Sequence, residues 1–242
     1  MLLRIGVGLA VSLLLTACEG GMPSFEKFRS AAGGGAGGSD AVGQTEATVT
    51  RNKIRLRGPE GFCVDPVATK PAAQEAFVVF GNCAAITGNP DQPQPYVPAL
   101  VTATVTSSGT AAQAAVAPQA ENLSSFFRTA EGRAVLSRSG QAGNVKISES
   151  FTEDGALFLR VTDTSAAAFE GAQPTYWRAY FDAGTSVVAM SVIGMSKTPV
   201  SSGEGLDTLQ RFVERNRKPA EGTISVRVAK PDRPGLLDRL FP

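Results

Sequence analysis

Histidine is absent from the 242 residues of this chain. Ser-His-Asp triads and Cys-His pairs use an imidazole as the general base, so both kinds of catalytic site are excluded. Zinc held by imidazole, a frequent arrangement in catalytic metal sites, is excluded for the same reason. The sequence therefore indicates no metal and no cofactor.

An excess of charge of either sign is also missing. The chain has 23 Lys and Arg against 22 Asp and Glu, a net charge of +1 and a pI of about 7.7. Nucleic-acid-binding domains usually carry a clear basic excess. No nucleic-acid partner is expected.

The apolar run at the amino terminus is short. It covers residues 5–15, whereas a transmembrane helix needs about 20 apolar residues. Arg4 precedes the run and small residues follow it, which is the usual layout of a secretory signal. We predict that residues 1–17 are a signal peptide and do not span the membrane permanently.

The sequence Leu15-Thr16-Ala17-Cys18 ends this run and resembles the lipobox of bacterial lipoproteins. The whole chain is similar to small lipoproteins of alphaproteobacteria. The resemblance implies cleavage before Cys18 and acylation of that cysteine, and two or more acyl chains anchor a protein stably. Glu19 in place of Asp implies the outer rather than the inner membrane, with the domain facing the periplasm. An ordinary secretory signal that contains a cysteine is the alternative.

Glycine is concentrated just beyond the lipobox, at residues 33–38. Such a segment has few large apolar side chains to bury, so residues 18–50 are predicted to be a disordered tether. Residues 51–230 are then predicted to form a single domain.

Cysteine is scarce, with three residues in the chain. If Cys18 carries lipid, Cys63 and Cys83 remain as a pair in an oxidising compartment, where disulfides persist. The two lack the Cys-x-x-Cys spacing of many redox pairs. A structural disulfide is therefore predicted, and a redox pair is the alternative.

Basic residues alternate with other residues at the start of the predicted domain, at Arg51, Lys53, Arg55 and Arg57. A period of two indicates a strand, and this strand would carry four cations on one face. The face would be either a solvated sheet edge or a contact surface for anionic headgroups.

Further strands and two helices are predicted from periodicity and turn residues. The predicted strands are 62–64, 76–80, 99–105, 144–151, 156–161, 176–181, 186–194 and 223–228. One helix is predicted over 122–138, and a second begins at the capping-box pattern Ser201 to Glu204. Asp-Gly and Asp-x-Gly turns predict two hairpins, at residues 153–155 and 182–184. The expected fold is α+β, with a mainly antiparallel sheet and two amphipathic helices packed on it.

This order of elements resembles the α/β/α sandwich shared by Mog1 and the PsbP-like photosystem proteins. The resemblance rests on that order and on the Tyr176-Trp177-Arg178 strand beside the 187–193 strand. It implies binding or assembly roles more often than catalysis.

Two groups of side chains are candidates for a site. Trp177, Arg178 and Tyr180 would form a sugar-stacking surface, unless Trp177 belongs to the core with the other two on the opposite face. Carboxylates at a predicted hairpin tip are either a catalytic pair or ordinary solvated turn residues. These carboxylates are Glu149, Glu153 and Asp154.

The carboxyl-terminal segment 231–242 is amphipathic. It either folds back on the domain or inserts into a groove of a partner protein. Its large apolar residues are Leu236, Leu237, Leu240 and Phe241.

Together these observations predict a lipid-anchored envelope protein with a non-catalytic binding or scaffolding role in envelope assembly or maintenance. The expected contacts are the membrane, through the anchor, and an envelope protein or anionic headgroups. The alternatives are a histidine-free hydrolase of cell wall or glycan, and a carrier of a small apolar ligand.

Overall fold

A computed structural model describes residues 42–107, 116–167 and 169–217. The predicted signal peptide, Cys18, the 223–228 strand and the tail 231–242 lie outside these residues. None of the described helices is long and apolar enough to cross a membrane.

Strands make up most of the regular structure of the described residues. The strands are β1 (Glu46–Val49), β2 (Ile54–Arg57), β3 (Phe62–Val64), β4 (Glu75–Asn82), β5 (Ala99–Ser107), β6 (Val145–Glu153), β7 (Ala156–Asp163), β8 (Thr175–Ala183) and β9 (Ser186–Gly194). The α-helices are α1 (Cys83–Thr87), α2 (Ala120–Arg128), α3 (Ala130–Leu136) and α4 (Ser202–Arg217). Short 3-10 turns, Ala117–Gln119 and Ala142–Asn144, precede α2 and β6.

Seven strands form one antiparallel sheet in the order β3-β4-β5-β9-β8-β7-β6, and β1 pairs with β2 in a separate hairpin. The α+β prediction is confirmed, because an antiparallel sheet carries helices packed on it. The adjacency of β5 and β9, which are far apart in sequence, places the two halves of the chain side by side.

Helices pack on both faces of the sheet. On one face, alternate residues of β4, β5, β8 and β9 pack with α4 and the β1–β2 hairpin. Phe212 of α4 lies at the centre of this core, with its ring centroid 5.1 Å from that of Phe62 and 5.2 Å from that of Phe80. On the other face, α2 and α3 cover residues of β6, β7 and β8 in a second apolar cluster that includes Phe127.

The helix predicted over 122–138 is wrong as a single element. Thr129 has extended backbone, with ψ of 168°, and it ends α2 and begins α3. Its hydroxyl accepts a hydrogen bond from the Gly132 amide at 3.1 Å, which caps α3. The apolar spacing continues through the break, so it predicted one helix. The threonine cap ends one helix and begins the next without changing that spacing.

The first strand also differs from its prediction. Residues 50–53 form a turn in which Thr50 and Lys53 have positive φ angles of 65° and 52°, so only residues 54–57 are strand. β1 lies inside the segment predicted to be a tether. The domain therefore includes residues before 51.

Both predicted hairpins are present, each with a two-residue turn. Asp154 and Gly155 have φ angles of 51° and 78°, as a type I′ turn requires. Gly184 has a φ of 59° at the first turn position between β8 and β9, where a type II′ turn favours glycine.

We predict that F212A lowers the free energy of unfolding by about 3–5 kcal/mol, because it removes a fully buried ring. Urea denaturation measures this difference. R215A on the exposed side of the same helix is the control and should stay within about 0.5 kcal/mol of the wild type. Equal stability of the two variants would contradict the packing described here.

Candidate functional site

Strand β8 divides the sequence-predicted aromatic and cationic residues between the two faces of the sheet, because successive side chains of a strand point in opposite directions. Trp177 is 3% exposed and belongs to the core beneath α4. Its Nε1 donates a hydrogen bond to the Ser202 carbonyl at 2.9 Å. Trp177 is therefore a core residue, and the three-residue sugar-stacking surface is not assembled.

Arg178 and Tyr180 lie together on the opposite face. The guanidinium carbon of Arg178 is 5.2 Å from the centroid of the Tyr180 ring, within the range of a cation–π contact. The Tyr180 ring in turn stacks on Phe127 of α2, with centroids 4.9 Å apart and planes inclined by 23°. Tyr176, two residues earlier on β8, is buried on the same face.

Arg178 is half-buried and has no carboxylate partner among the described residues. Its Nε atom is sealed from solvent and has no hydrogen-bond partner among residues 42–107, 116–167 and 169–217. Six other arginines of the described part do have such partners. The pairs are Arg55 and Arg57 with Glu46, Arg138 with Asp163, Arg160 with Glu149, Arg211 with Asp207 and Arg217 with Asp154.

The buried surroundings leave Arg178 and Tyr176 in their usual protonation states at neutral pH. Desolvation lowers the pKa of Arg178, but the nearby Tyr180 and Tyr176 hydroxyls outweigh it through charge and hydrogen bonding, so the pKa lies above its ordinary value. Desolvation raises the pKa of Tyr176. At neutral pH the guanidinium is therefore charged and the Tyr176 phenol is neutral.

Hydroxyl side chains extend the cluster across the sheet. Ser191 of β9 is directly opposite Arg178, and Thr102 of β5 is directly opposite Ser191. Directly opposed residues of antiparallel strands project from the same face. We call Tyr176, Arg178, Tyr180, Ser191 and Thr102 the Arg178 face. It offers one guanidinium cation and four hydroxyl groups, which suits binding better than acid–base catalysis at neutral pH.

The three carboxylates near the β6–β7 hairpin are each held by a different partner. Glu149 pairs with Arg160 at 2.8 Å. Glu153 accepts a hydrogen bond from Gln210 at 2.5 Å, and Asp154 pairs with Arg217 at 3.2 Å. In the part of the chain that the structure describes, no group of three or more Cys, Asp and Glu side chains is placed to hold a metal ion.

A cavity of about 100 Å³ lies at the amino-terminal end of α4. Arg160, Gln173 and Trp177 are among its lining residues. Pockets for organic ligands usually measure about 300 Å³ or more. This cavity is therefore too small for the apolar ligand of a carrier.

The capping box predicted at the start of α4 is present beside this cavity. The Ser201 amide donates to Glu204 at 2.9 Å, and the Glu204 amide donates to the Ser201 hydroxyl at 3.3 Å. Hydrogen bonds from Ser201 lower the pKa of the Glu204 carboxyl.

The basic strand of the sequence prediction does not present four cations on one face. Arg51 and Lys53 are in the turn before β2. Arg55 and Arg57 are in β2, and both contact Glu46 of β1, at 3.0 and 2.6 Å. The shared Glu46 carboxylate neutralises part of their charge. The sequence analysis could not predict this contact because it assigned the residues of β1 to the tether.

The predicted disulfide joins Cys63 of β3 to Cys83 at the start of α1. Both cysteines are buried, and the chain before β1 packs against Cys63. A Cβ atom on Gly43 would lie 2.3 Å from the Cys63 sulfur. The disulfide fits a non-cytoplasmic domain, since such bonds persist in oxidising compartments.

Sequence reasoning missed a buried polar contact at the end of β7. Asp163 is fully buried and accepts hydrogen bonds from the backbone amides of Arg138 and Ser165, both at 2.9 Å. These bonds join the loop after α3 to the loop after β7. The bond from Ser165 is local, two residues away, but the bond from Arg138 spans 25 residues and no local motif indicates it.

Comparisons with known proteins add little to this description. No protein-family model and no curated protein matches the sequence. Among solved structures, the chain is similar to the extracellular domain of PknH from Mycobacterium tuberculosis, with 13% identity, a TM-score of 0.33, and coverage of 64% of this chain and 68% of that one. A likeness at this level carries no argument about function.

We predict that Asp163 makes stability depend on pH. Desolvation raises the pKa of this carboxyl, but hydrogen bonds from Ser165 and Arg138 outweigh it and hold the pKa below its ordinary value. Its contribution to stability is therefore complete above the unfolded pKa of about 3.9 and is lost as pH falls through the lower, folded pKa.

D163N should lower the free energy of unfolding by about 1–3 kcal/mol at pH 7, because the NH2 group of the new asparagine cannot accept hydrogen bonds from the backbone amides. It should also show a smaller loss than the wild type between pH 7 and pH 3. Urea denaturation at both pH values tests this, with D91N, on an exposed loop, as the control. Parallel pH profiles for D163N and the wild type would contradict the assignment.

Proposed function

We propose that this protein is a lipid-anchored protein of the bacterial cell envelope, whose folded domain faces the periplasm and binds or scaffolds a partner without catalysis. The observation that carries the proposal is the buried disulfide between Cys63 and Cys83. This bond is expected if Cys18 is acylated and the two remaining cysteines are in an oxidising compartment.

The lipobox-like sequence ending at Cys18 supports the anchoring part of the proposal. Acylation would tether the domain within reach of the membrane surface. Glu19 favours the outer membrane, and envelope assembly or maintenance is the role that this placement suggests.

The Arg178 face supports a binding role. It combines a permanent cation with aromatic and hydroxyl groups on a rigid sheet, and preorganised polar groups on rigid elements are typical of binding sites. The two alternatives have weaker support. The hairpin carboxylates have separate partners, which argues against a glycan hydrolase there, and the cavity beside α4 is small for a carrier.

We predict that cells given radiolabelled palmitate label the wild-type protein and that C18S abolishes the label. The wild type should fractionate with membranes. Full-length C18S should keep its leader, because the thiol that is acylated before cleavage is missing. Immunoprecipitation and membrane fractionation measure both results.

The control is C63S/C83S, which removes the other two cysteines and should still be labelled. Label in C18S, or an unlabelled wild-type protein in the cytosol, would contradict the anchor and the compartment together.

A further inference from the structure

Arg178 carries a positive charge that the described residues leave unbalanced. Its Nε donor is buried without an acceptor, and no ion pair joins it to a carboxylate in the described parts of the chain. An unsatisfied buried donor is costly, and a buried charge without a partner costs more. A group of this kind in a folded protein needs an explanation.

The contact with Tyr180 explains only part of the environment of Arg178. The aromatic ring attracts the charge through its electron-rich face, at a centroid distance of 5.2 Å. The N–H groups of a guanidinium, however, lie in its plane and require acceptors there. The cation–π contact therefore supplies neither an in-plane acceptor nor a negative charge for the Arg178 guanidinium.

Neighbouring hydroxyls can add donors but no charge. A guanidinium has no acceptor, so wherever it hydrogen-bonds to Tyr176 or Tyr180 the phenol oxygen accepts. The phenol hydrogens are then free to donate to a third group. Ser191 and Thr102 continue the same row across β9 and β5. These described neighbours thus surround the cation with neutral hydroxyls, which can share hydrogen bonds with it but carry no negative charge.

An oxyanion has the chemistry that this cluster lacks. It carries negative charge, its charged oxygens accept hydrogen bonds, and it can bond to the two terminal nitrogens of an arginine through parallel N–H···O contacts. The oxygens of a carboxylate or a phosphate also accept from phenol and aliphatic hydroxyls. Aromatic rings at Tyr180 and Phe127 form a firm wall on one side.

We propose that the Arg178 face is a binding site for an oxyanion, namely the phosphate or carboxylate group of a small ligand or of a headgroup. The inference rests on the binding role proposed above and names the chemical group bound. The two can fail separately, because anion binding is measured on purified protein whether or not Cys18 is acylated, and palmitate labelling does not involve Arg178.

The test uses the full-length protein purified in detergent at pH 7. Inorganic phosphate, glycerol 3-phosphate or acetate replaces chloride at constant ionic strength, so that screening is unchanged. A ligand that binds the folded state raises the melting temperature in a saturable way. We expect such a rise for the wild type with at least one of the three anions.

R178M should weaken the binding of that anion at least about tenfold, because a charge-assisted pair of hydrogen bonds is lost. R178K should bind with intermediate affinity, since it keeps the charge without the planar fork. R128M is the matched control, because it removes an exposed arginine of α2 and should keep the wild-type affinity.

The melting temperature without added anion separates binding from a purely structural role. If Arg178 serves a ligand, R178M should melt at the wild-type temperature or above it, since methionine removes an unbalanced half-buried cation. If R178M does not fold, Y180F replaces it, because this variant keeps the ring stacked on Phe127 and removes one donor. Y180F should bind the anion several-fold more weakly.

The preferred anion indicates the source of the ligand. Tightest binding of glycerol 3-phosphate indicates a phospholipid-type headgroup, tightest binding of inorganic phosphate indicates the free ion, and tightest binding of acetate indicates a carboxylate ligand. The proposal is overturned if none of the three raises the wild-type melting temperature beyond chloride. It is equally overturned if R178M, or Y180F in its place, binds with wild-type affinity.

Discussion

The burial of β8 on both faces is the constraint on which the rest of the structure depends. One face of this strand packs under α4 through Trp177 and Phe181, and the other packs near α2 through Tyr176 and Tyr180. A strand covered on both sides normally carries apolar residues at every position. Arg178 interrupts that rule at the centre of the sheet, where a polar group is most costly. Strand β8 therefore contributes to both apolar clusters and also carries the central residue of the candidate site.

Local chemistry made the central hairpins predictable from sequence. Asp154 and Gly155 specify a tight turn by themselves. One of the two alternatives for β8, with Trp177 in the core and Arg178 on the opposite face, followed from the alternation of side chains and agrees with the structure. The break at Thr129 was not predictable from apolar spacing, because a side-chain cap leaves that spacing intact. β1 was hidden in a glycine-rich composition and is formed through pairing with β2.

Long-range contacts account for the parts of the site that sequence reasoning could not reach. Ser191 and Thr102 join Arg178 only because β9 lies between β8 and β5 in the sheet. The Glu46 carboxylate that pairs with Arg55 and Arg57 depends in the same way on strand register. The sequence alone showed which charged and aromatic residues were candidates for a site. Which residues they contact depends on the order and register of the strands.

The packing of Gly43 on Cys63 has a mechanical consequence. Just after Gly43, the Gln44 carbonyl accepts a hydrogen bond from Val64 at 2.7 Å, and the Thr45 carbonyl accepts one from Gly58 at 2.8 Å. A pulling force applied to the chain before Val42 is therefore transmitted first to β3, through the hydrogen bond between Gln44 and Val64. There a covalent sulfur–sulfur bond, rather than three residues of strand pairing alone, resists detachment from the sheet. The domain is reinforced at the point where a pull from its amino-terminal side enters the fold.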